Sequence, residues 1–474
     1  MVRSGAWSAR LISLLSVAAL CSCGADTPVV QPPPFVTPAG PDASSERAST
    51  LRTKKVDVVE DFHGTKVSDP YRWLEEADAA DVKAWTEKEN ATTRGVLDAY
   101  SGREALKKQL ADLLHIGYVS GPTVRTVKPG LRRYFHTKRE GEANQPTLYV
   151  RDKHDGKDRV LLDASTLSAD GTTAVDWWYP SWDGTKVAWG ASESGSEEST
   201  LFIRDVATGK DLEDKVTRTR HASVAWMPSG KEFYYSRYPE AGTVPAGDEK
   251  YMAKIFHHVI GRDAKEDELI FGGNREKTDV PQVMISPNGR WLVVRVHEGW
   301  GKSEVYLMDL SKKPDAKGDR KWTEIAVGMD AIFDPIPRDD RLWMLTNDGA
   351  AKYRFFSLDY PAPDRTHWKE ILVEGKDVLT DVTVVGNELV ATYLHEASTR
   401  IERFTLEGKS KGEIPLPAIG TASVSAPRDG DEVFIDFASY VTPYQVTRYE
   451  LKTGKTNLWD RVGAEFSAQS GAEG

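Results

Sequence analysis

The chain has 474 residues, a formal net charge of −10, and 28% charged against 39% hydrophobic residues. This is the balance of a folded globular protein with material for a large core, and the acidic excess argues against the basic patch or domain that a nucleic-acid partner requires. Its two cysteines, Cys21 and Cys23, leave no disulfide framework and no thiolate metal site once the N-terminus is processed.

Met1 to Arg10 carries Arg3 and Arg10, and a short apolar run, Leu11 to Leu20, follows at once. About 20 apolar residues are needed to cross a bilayer as a helix, so this reads as a secretion signal and not a span. Leu20-Cys21-Ser22-Cys23 resembles the bacterial lipoprotein signal, with leucine three residues before the modified cysteine. That resemblance makes residues 1–23 a signal and lipobox and Cys23 the lipidated residue, and it implies a membrane-anchored protein outside the cytoplasm. Cys21 has Ala18 at the corresponding place and fits less well, and a plain cleaved signal is the alternative. Residues 24–50, with Pro32-Pro33-Pro34, Pro38 and Pro41, lack apolar periodicity and read as an extended tether.

Residues 51–118 form a helical N-terminal segment. Asp57 to Val67 suggests a short strand with a Gly turn, and Asp69-Pro70-Tyr71-Arg72-Trp73-Leu74-Glu75 opens a helical region. In Asp81 to Tyr100 the apolar positions Val82, Trp85, Val96, Leu97 and Tyr100 fit one helical face, weakened by the polar stretch Asn90 to Thr93, with Asp78 or Asp81 as N-cap. Arg103 to Leu114 places Leu106, Leu110, Leu113 and Leu114 on one side of a second helix. These apolar residues, with Trp73 and Trp85, call for a packing partner.

From residue 119 to 459 one pattern repeats. Val283 to Val296 reads strand, turn, strand, with the turn at Ser286-Pro287-Asn288-Gly289, where Pro presets φ and Gly supplies a positive one. Like turns fall at Trp182-Asp183-Gly184, Pro228-Ser229-Gly230 and Arg428-Asp429-Gly430, and weaker copies at Lys128-Pro129-Gly130, Pro337 to Asp340 and Gly386-Asn387. Pro122 to Lys455 divided by seven gives about 48 residues per unit, close to the roughly 40–50 of a four-stranded blade. Second hairpins follow at Ala207-Thr208-Gly209 and Ser311-Lys312-Lys313, and strands such as Trp291 to Val294 and Phe233 to Tyr235 are apolar at consecutive positions, as sheets covered on both faces must be. The fold class is all-β: a seven-bladed β-propeller of four-stranded blades, followed by an unstructured tail, residues 460–474. A β-sandwich is the alternative, but it has no fixed period.

Residues able to carry chemistry are few. Gly408-Lys409-Ser410-Lys411-Gly412 matches a nucleophile elbow in letters only. An elbow joins a strand to a helix, and Pro415 and Pro417 forbid a helix here. His257 and His258 are adjacent on a strand and point to opposite faces, so they cannot chelate one ion together. Glu197-Glu198 and Asp339-Asp340 sit in turns as solvated charge. No catalytic, cofactor-binding or metal-ligating residue is assigned, and no cofactor is expected.

Asp69-Pro70-Tyr71-Arg72-Trp73-Leu74-Glu75, with Phe62-His63-Gly64, Val82-Lys83-Ala84-Trp85 and Asn90, closely resembles the start of prolyl oligopeptidases, and the similarity continues through Asp163 to Gly171, Ser181 to Ala188, Val224-Ala225-Trp226 and Gly299-Trp300 to about Trp459. The resemblance implies a serine endopeptidase family in which a seven-bladed propeller restricts access of short peptides to an α/β-hydrolase domain that cleaves after proline. It also implies that the hydrolase domain would begin where this chain reaches its last fifteen residues, so the chain is expected to be a truncated member, inactive alone, whose peptide partners are met only when it is joined to a hydrolase domain. The alternative is a stand-alone, membrane-anchored propeller that binds peptides or a partner protein.

Overall fold

The computed structural model describes residues 53–462 apart from 142, 314–319 and 362–363. Cys23, the tether and residues 463–474 of the tail lie outside the described residues. The chain divides into two units near Leu113 and Leu114.

In the N-terminal unit, Val59–Phe62 and Thr65–Ser68 pair as a hairpin turned by His63 and Gly64, both at positive φ. A 3-10 turn, Arg72–Glu75, precedes helix α1 (Ala80–Asp98), and helix α2 (Arg103–Leu114) follows. Neither expected cap closes α1. Ala79 holds the N-cap position with no side-chain bond, Asp81 lies inside the first turn, and Asp78 pairs with Lys83 at 3.0 Å. Two acids flank this boundary, and an acid in the first turn opposes the positive end of the helix dipole without capping it. The polar stretch does not break α1, where Thr92 Oγ1 turns back to donate to the Lys88 carbonyl at 3.0 Å. Trp73 and Trp85 also have partners inside the unit. Their rings meet edge to face at 6.4 Å, and their indole N–H groups donate to the Lys54 carbonyl and Thr53 Oγ1. Val96, Leu97 and Tyr100 of the α1 end, and Leu106, Leu110 and Leu114 of α2, are exposed.

The second unit is seven antiparallel sheets, each a meander of four consecutive strands. Blade 1 comprises Thr123–Lys128, Leu131–Arg139, Thr147–Arg151 and Arg159–Asp163, with Tyr118–Val119 paired to its second strand. Blades 2 to 7 span residues 173–216, 224–271, 280–326, 333–372, 378–414 and 421–461. All seven hairpins expected from turn chemistry are the turns between first and second strands. In blade 4, Val283 faces Val294 and Ile285 faces Leu292, and Leu292, Val293 and Val294 are wholly buried, as a sheet covered on both faces requires.

The core is shared out between blades. Seven apolar clusters are found among the described residues, and each lies between two neighbouring blades. The cluster between blades 7 and 1, built on Val119, Val124, Tyr134, Phe434, Val446 and Val462, is the smallest of the seven. No connecting loop joins the two blades across that seam, as one does at each of the other six, because blade 1 is made wholly of N-terminal strands and blade 7 wholly of C-terminal ones. Charged side chains supply the rest of the closure. Glu432, 2% exposed, accepts from Arg132 at 2.9 Å, from Arg448 and from the Tyr134 hydroxyl at 3.3 Å. Further out, Lys138 and Arg151 of blade 1 both reach Asp460 of blade 7.

Candidate functional site at the channel mouth

Each first strand runs to one face of the ring and turns back there, so all seven first hairpin tips gather on the face opposite the one where the chain enters blade 1 and leaves blade 7. The tips touch in sequence around a closed circle, which makes the first strands the innermost ones. Arg133 of blade 1 donates to the Gly184 carbonyl of blade 2 at 2.8 Å. A Cβ on Gly230 of blade 3 would lie 2.9 Å from the Asp183 carboxylate, and one on Gly289 of blade 4 would lie 2.7 Å from the Pro228 ring. The Asn288 N–H donates to Asp339 of blade 5 at 2.7 Å, Arg338 donates to the Val384 carbonyl of blade 6, and the Gly386 N–H points to the Arg428 carbonyl of blade 7 at 3.5 Å. Thr126 and Arg132 of blade 1 close the circle on Asp429 at 3.1 and 3.3 Å. Glycine at 289 is thus fixed twice over, by φ of 74° and by the closeness of the next tip.

Three arginines and a tryptophan lie on this ring. Arg428 Cζ stands 3.7 Å from the centre of the Trp182 ring and Arg125 Cζ 4.8 Å, so the indole carries two guanidiniums. Arg125 donates to the Pro180 and Val124 carbonyls. Among the described residues, no carboxylate forms an ion pair with Arg125, Arg338 or Arg428. Burial pushes Arg125 and Arg338 down to about 10, and burial followed by the repulsion of Arg338 and Arg125 pushes Arg428 down to about 8. Among the described residues, Nε of Arg428 and Nε1 of Trp182 are buried donors without an acceptor. The exposed rim acids have their own partners: Asp340 pairs with Arg341 at 2.8 Å, Asp339 accepts from Asn288, and Asp429 from Thr126.

The residues weighed from sequence fall elsewhere. Ser410 is exposed at the start of the fourth strand of blade 6 and donates to the Glu402 carboxylate at 2.6 Å, with no hydrogen bond to a histidine among the described residues. His257 and His258 do point to opposite faces: His257 meets Glu232 at 3.0 Å, and His258, fully buried, lies between Asp267 at 2.9 Å and Asp214 at 3.1 Å. His136, Asp158 and Asp460 bring three possible ligand atoms within 4.8 Å of one another. Lys138 and Arg151 already bind both carboxylates, Lys138 at 2.6 and 2.8 Å, so the group is a seam ion-pair network in which two cations hold the places a metal ion would take. The three arginines and the tryptophan of the mouth escaped sequence reading because they lie on four different blades. Only the recurring tip turns hinted that they converge.

Residues 52–462 match the family model for the prolyl oligopeptidase N-terminal β-propeller domain. The chain belongs to the prolyl oligopeptidase family. It is 30% identical over 435 residues to a prolyl endopeptidase of Elizabethkingia meningoseptica, covering 90% of this chain and 59% of that protein, and 24% identical over 421 residues to prolyl oligopeptidase A of Amanita bisporigera, covering 83% and 55%. A solved prolyl endopeptidase, studied for inter-domain dynamics in catalysis and specificity, superposes with a TM-score of 0.81 at 31% identity over 88% of this chain and 60% of that one. Prolyl oligopeptidase B from Galerina marginata bound to a 25mer macrocyclization substrate shares the fold at a TM-score of 0.78. The chain therefore spans about three fifths of the length of the relatives it matches, and what it shares with them is the prolyl oligopeptidase propeller.

One titratable group of this propeller sits at the seam between blades 7 and 1. Asp436 approaches Gly121 so closely that a Cβ there would lie 2.6 Å from its Oδ1, and only the Ser423 hydroxyl reaches its other oxygen, at 3.2 Å. Burial raises its pKa from 3.8 to about 7. The folded state keeps a proton that the unfolded chain loses, so stability declines as pH rises from about 4 to about 7 and is level above that. Asp436→Asn is expected to remove this slope, leaving the variant up to roughly 4 kcal/mol more stable than the parent at pH 8 and equal to it at pH 4. Urea unfolding midpoints at the two pH values measure it, and equal pH slopes in variant and parent would refute it.

Proposed function

We propose that this chain is the substrate-gating propeller of a prolyl oligopeptidase-type serine endopeptidase, admitting short proline-containing peptides to a hydrolase domain and excluding folded proteins. The observation that carries this reading is the closed circle of seven touching hairpin tips on one face of the ring, together with the propeller-only match to the relatives. Chemistry requires an activated nucleophile, a base and an oxyanion hole together, and the serine weighed from sequence lies exposed on a strand and donates to the Glu402 carboxylate, with no hydrogen bond to a histidine among the described residues.

Membrane attachment forms part of the proposal. Among the described residues no helix is long and apolar enough to cross a membrane. A lipid at Cys23, the residue the lipoprotein-like signal singles out, would supply the anchor, and the residue 24–50 tether would hold the propeller outside the cytoplasm. Several acyl chains, at about 0.8 kcal/mol per buried CH₂, anchor firmly.

The 474-residue polypeptide assayed alone is expected to show no turnover of proline-containing peptides and no labelling by a fluorophosphonate. Stoichiometric labelling of one serine, with turnover lost when that serine is replaced, would overturn the assignment to a gating role.

A further inference from the structure

We propose that Arg125 and Arg428, both set over Trp182, and Arg338 on the same ring of tips form a carboxylate-binding cradle at the channel mouth that takes the free C-terminus of a short peptide. The assignment to a peptide rests on the gating reading, while the cradle itself rests on geometry. Three guanidiniums from blades 1, 5 and 7 lie on the ring of tips, and two of them stand over one indole. Asp339 and Asp429 offset part of the repulsion at Arg428, but among the described residues no carboxylate forms an ion pair with any of the three, so a mobile anion would relieve what remains. The buried Nε of Arg428 and Nε1 of Trp182 are donors with no acceptor among the described residues. All three arginines are partly exposed, so the cradle can be reached from solvent.

The class of anion follows from what surrounds the cradle. Asp339, Asp340 and Asp429 stand exposed on the same tips, and the chain as a whole is acidic, so a polyanion meets repulsion at the rim. A compact monoanion meets less of it. The planar guanidinium fork matches a planar carboxylate through paired N–H donors, and the apolar indole face suits the side chain next to it. A short peptide presents one such group at one end, and a folded protein seldom presents it free of its own surface. The mouth would thereby select both for size and for a free terminus.

The test is calorimetric titration of the chain with a short proline-containing peptide bearing a free C-terminal carboxylate, with its C-terminal amide, and with sodium phosphate. The free acid is expected to bind at least about tenfold more tightly than the amide, the scale of one charge-assisted hydrogen-bond pair. Arg428→Gln should abolish that preference and Arg428→Lys should keep part of it, with unchanged circular dichroism and melting temperature showing that both variants fold. Equal binding of acid and amide, a preference that survives Arg428→Gln, or binding of phosphate alone would overturn the proposal. None of these outcomes bears on gating by size, which the turnover, labelling and chimera experiments test separately.

Discussion

Glu432→Ala is expected to cost about 3 kcal/mol and to open the ring at one place. Glu432 is the one carboxylate in contact with Arg132, Arg448 and the Tyr134 hydroxyl together, and it is almost wholly buried. Removing one member of a buried ion-pair network strands the others, and the loss is typically about 3–5 kcal/mol. The lower end applies because Arg448 keeps Glu450 at 2.7 Å and Arg132 keeps the Asp429 carbonyl. The effect is large at this seam because no connecting loop joins its two blades and its apolar cluster is the smallest between any two blades. Hydrogen exchange should therefore quicken in the strands of blades 1 and 7 and not in blades 3 to 5. A variant whose protection falls evenly over all seven blades would show that the seam is not the weak joint.

His258→Leu is expected to cost about 3–5 kcal/mol, by a different route. The imidazole joins Asp214 of blade 2 to Asp267 of blade 3, and both carboxylates are nearly inaccessible. Leucine would leave two buried acids with only the Gly261 N–H and the Tyr235 hydroxyl as donors. Burial by itself would lower the pKa of His258, but the hydrogen bonds and charges of Asp267 and then Asp214 outweigh it and the net shift is upward from 6.5. The folded state thus holds this proton more tightly than the unfolded chain does. Its contribution is complete below about pH 6.5 and is lost as pH rises through the folded-state pKa. The parent should lose stability over that interval and the variant should not, as guanidinium midpoints from pH 5 to 9 will show. Matching pH profiles for parent and variant would mean that His258 is neutral in the fold.

What could be read from sequence was what local chemistry specifies. Seven tips were legible because Pro, Gly, Asp and Asn impose turn geometry within four residues, and the consecutive buried positions at Leu292 to Val294 were legible because a doubly covered strand leaves a continuous apolar run. Pairings between blades were not legible. Arg132 and Glu432 are 300 residues apart, and nothing in either neighbourhood points to the other. The placement of His257 and His258 on opposite faces followed from strand geometry, whereas the two acids that hold His258 come from two different blades. The same limit hid the mouth: each arginine looks like an ordinary turn residue until the ring closes. In the N-terminal unit, Trp73 and Trp85 were expected to seek an outside surface, yet they pack on each other because the 3-10 turn at Arg72–Glu75 brings them face to edge, a geometry that helical periodicity does not encode.

The most direct test of the gating account is a chimera in which residues 52–462 of this chain replace the matching propeller of the Elizabethkingia meningoseptica prolyl endopeptidase. Cleavage would be compared between a short proline-containing peptide and the same sequence placed in an exposed loop of a folded protein. The account predicts that the chimera cuts the free peptide and leaves the folded host intact. A chimera that cuts both at comparable rates would contradict it.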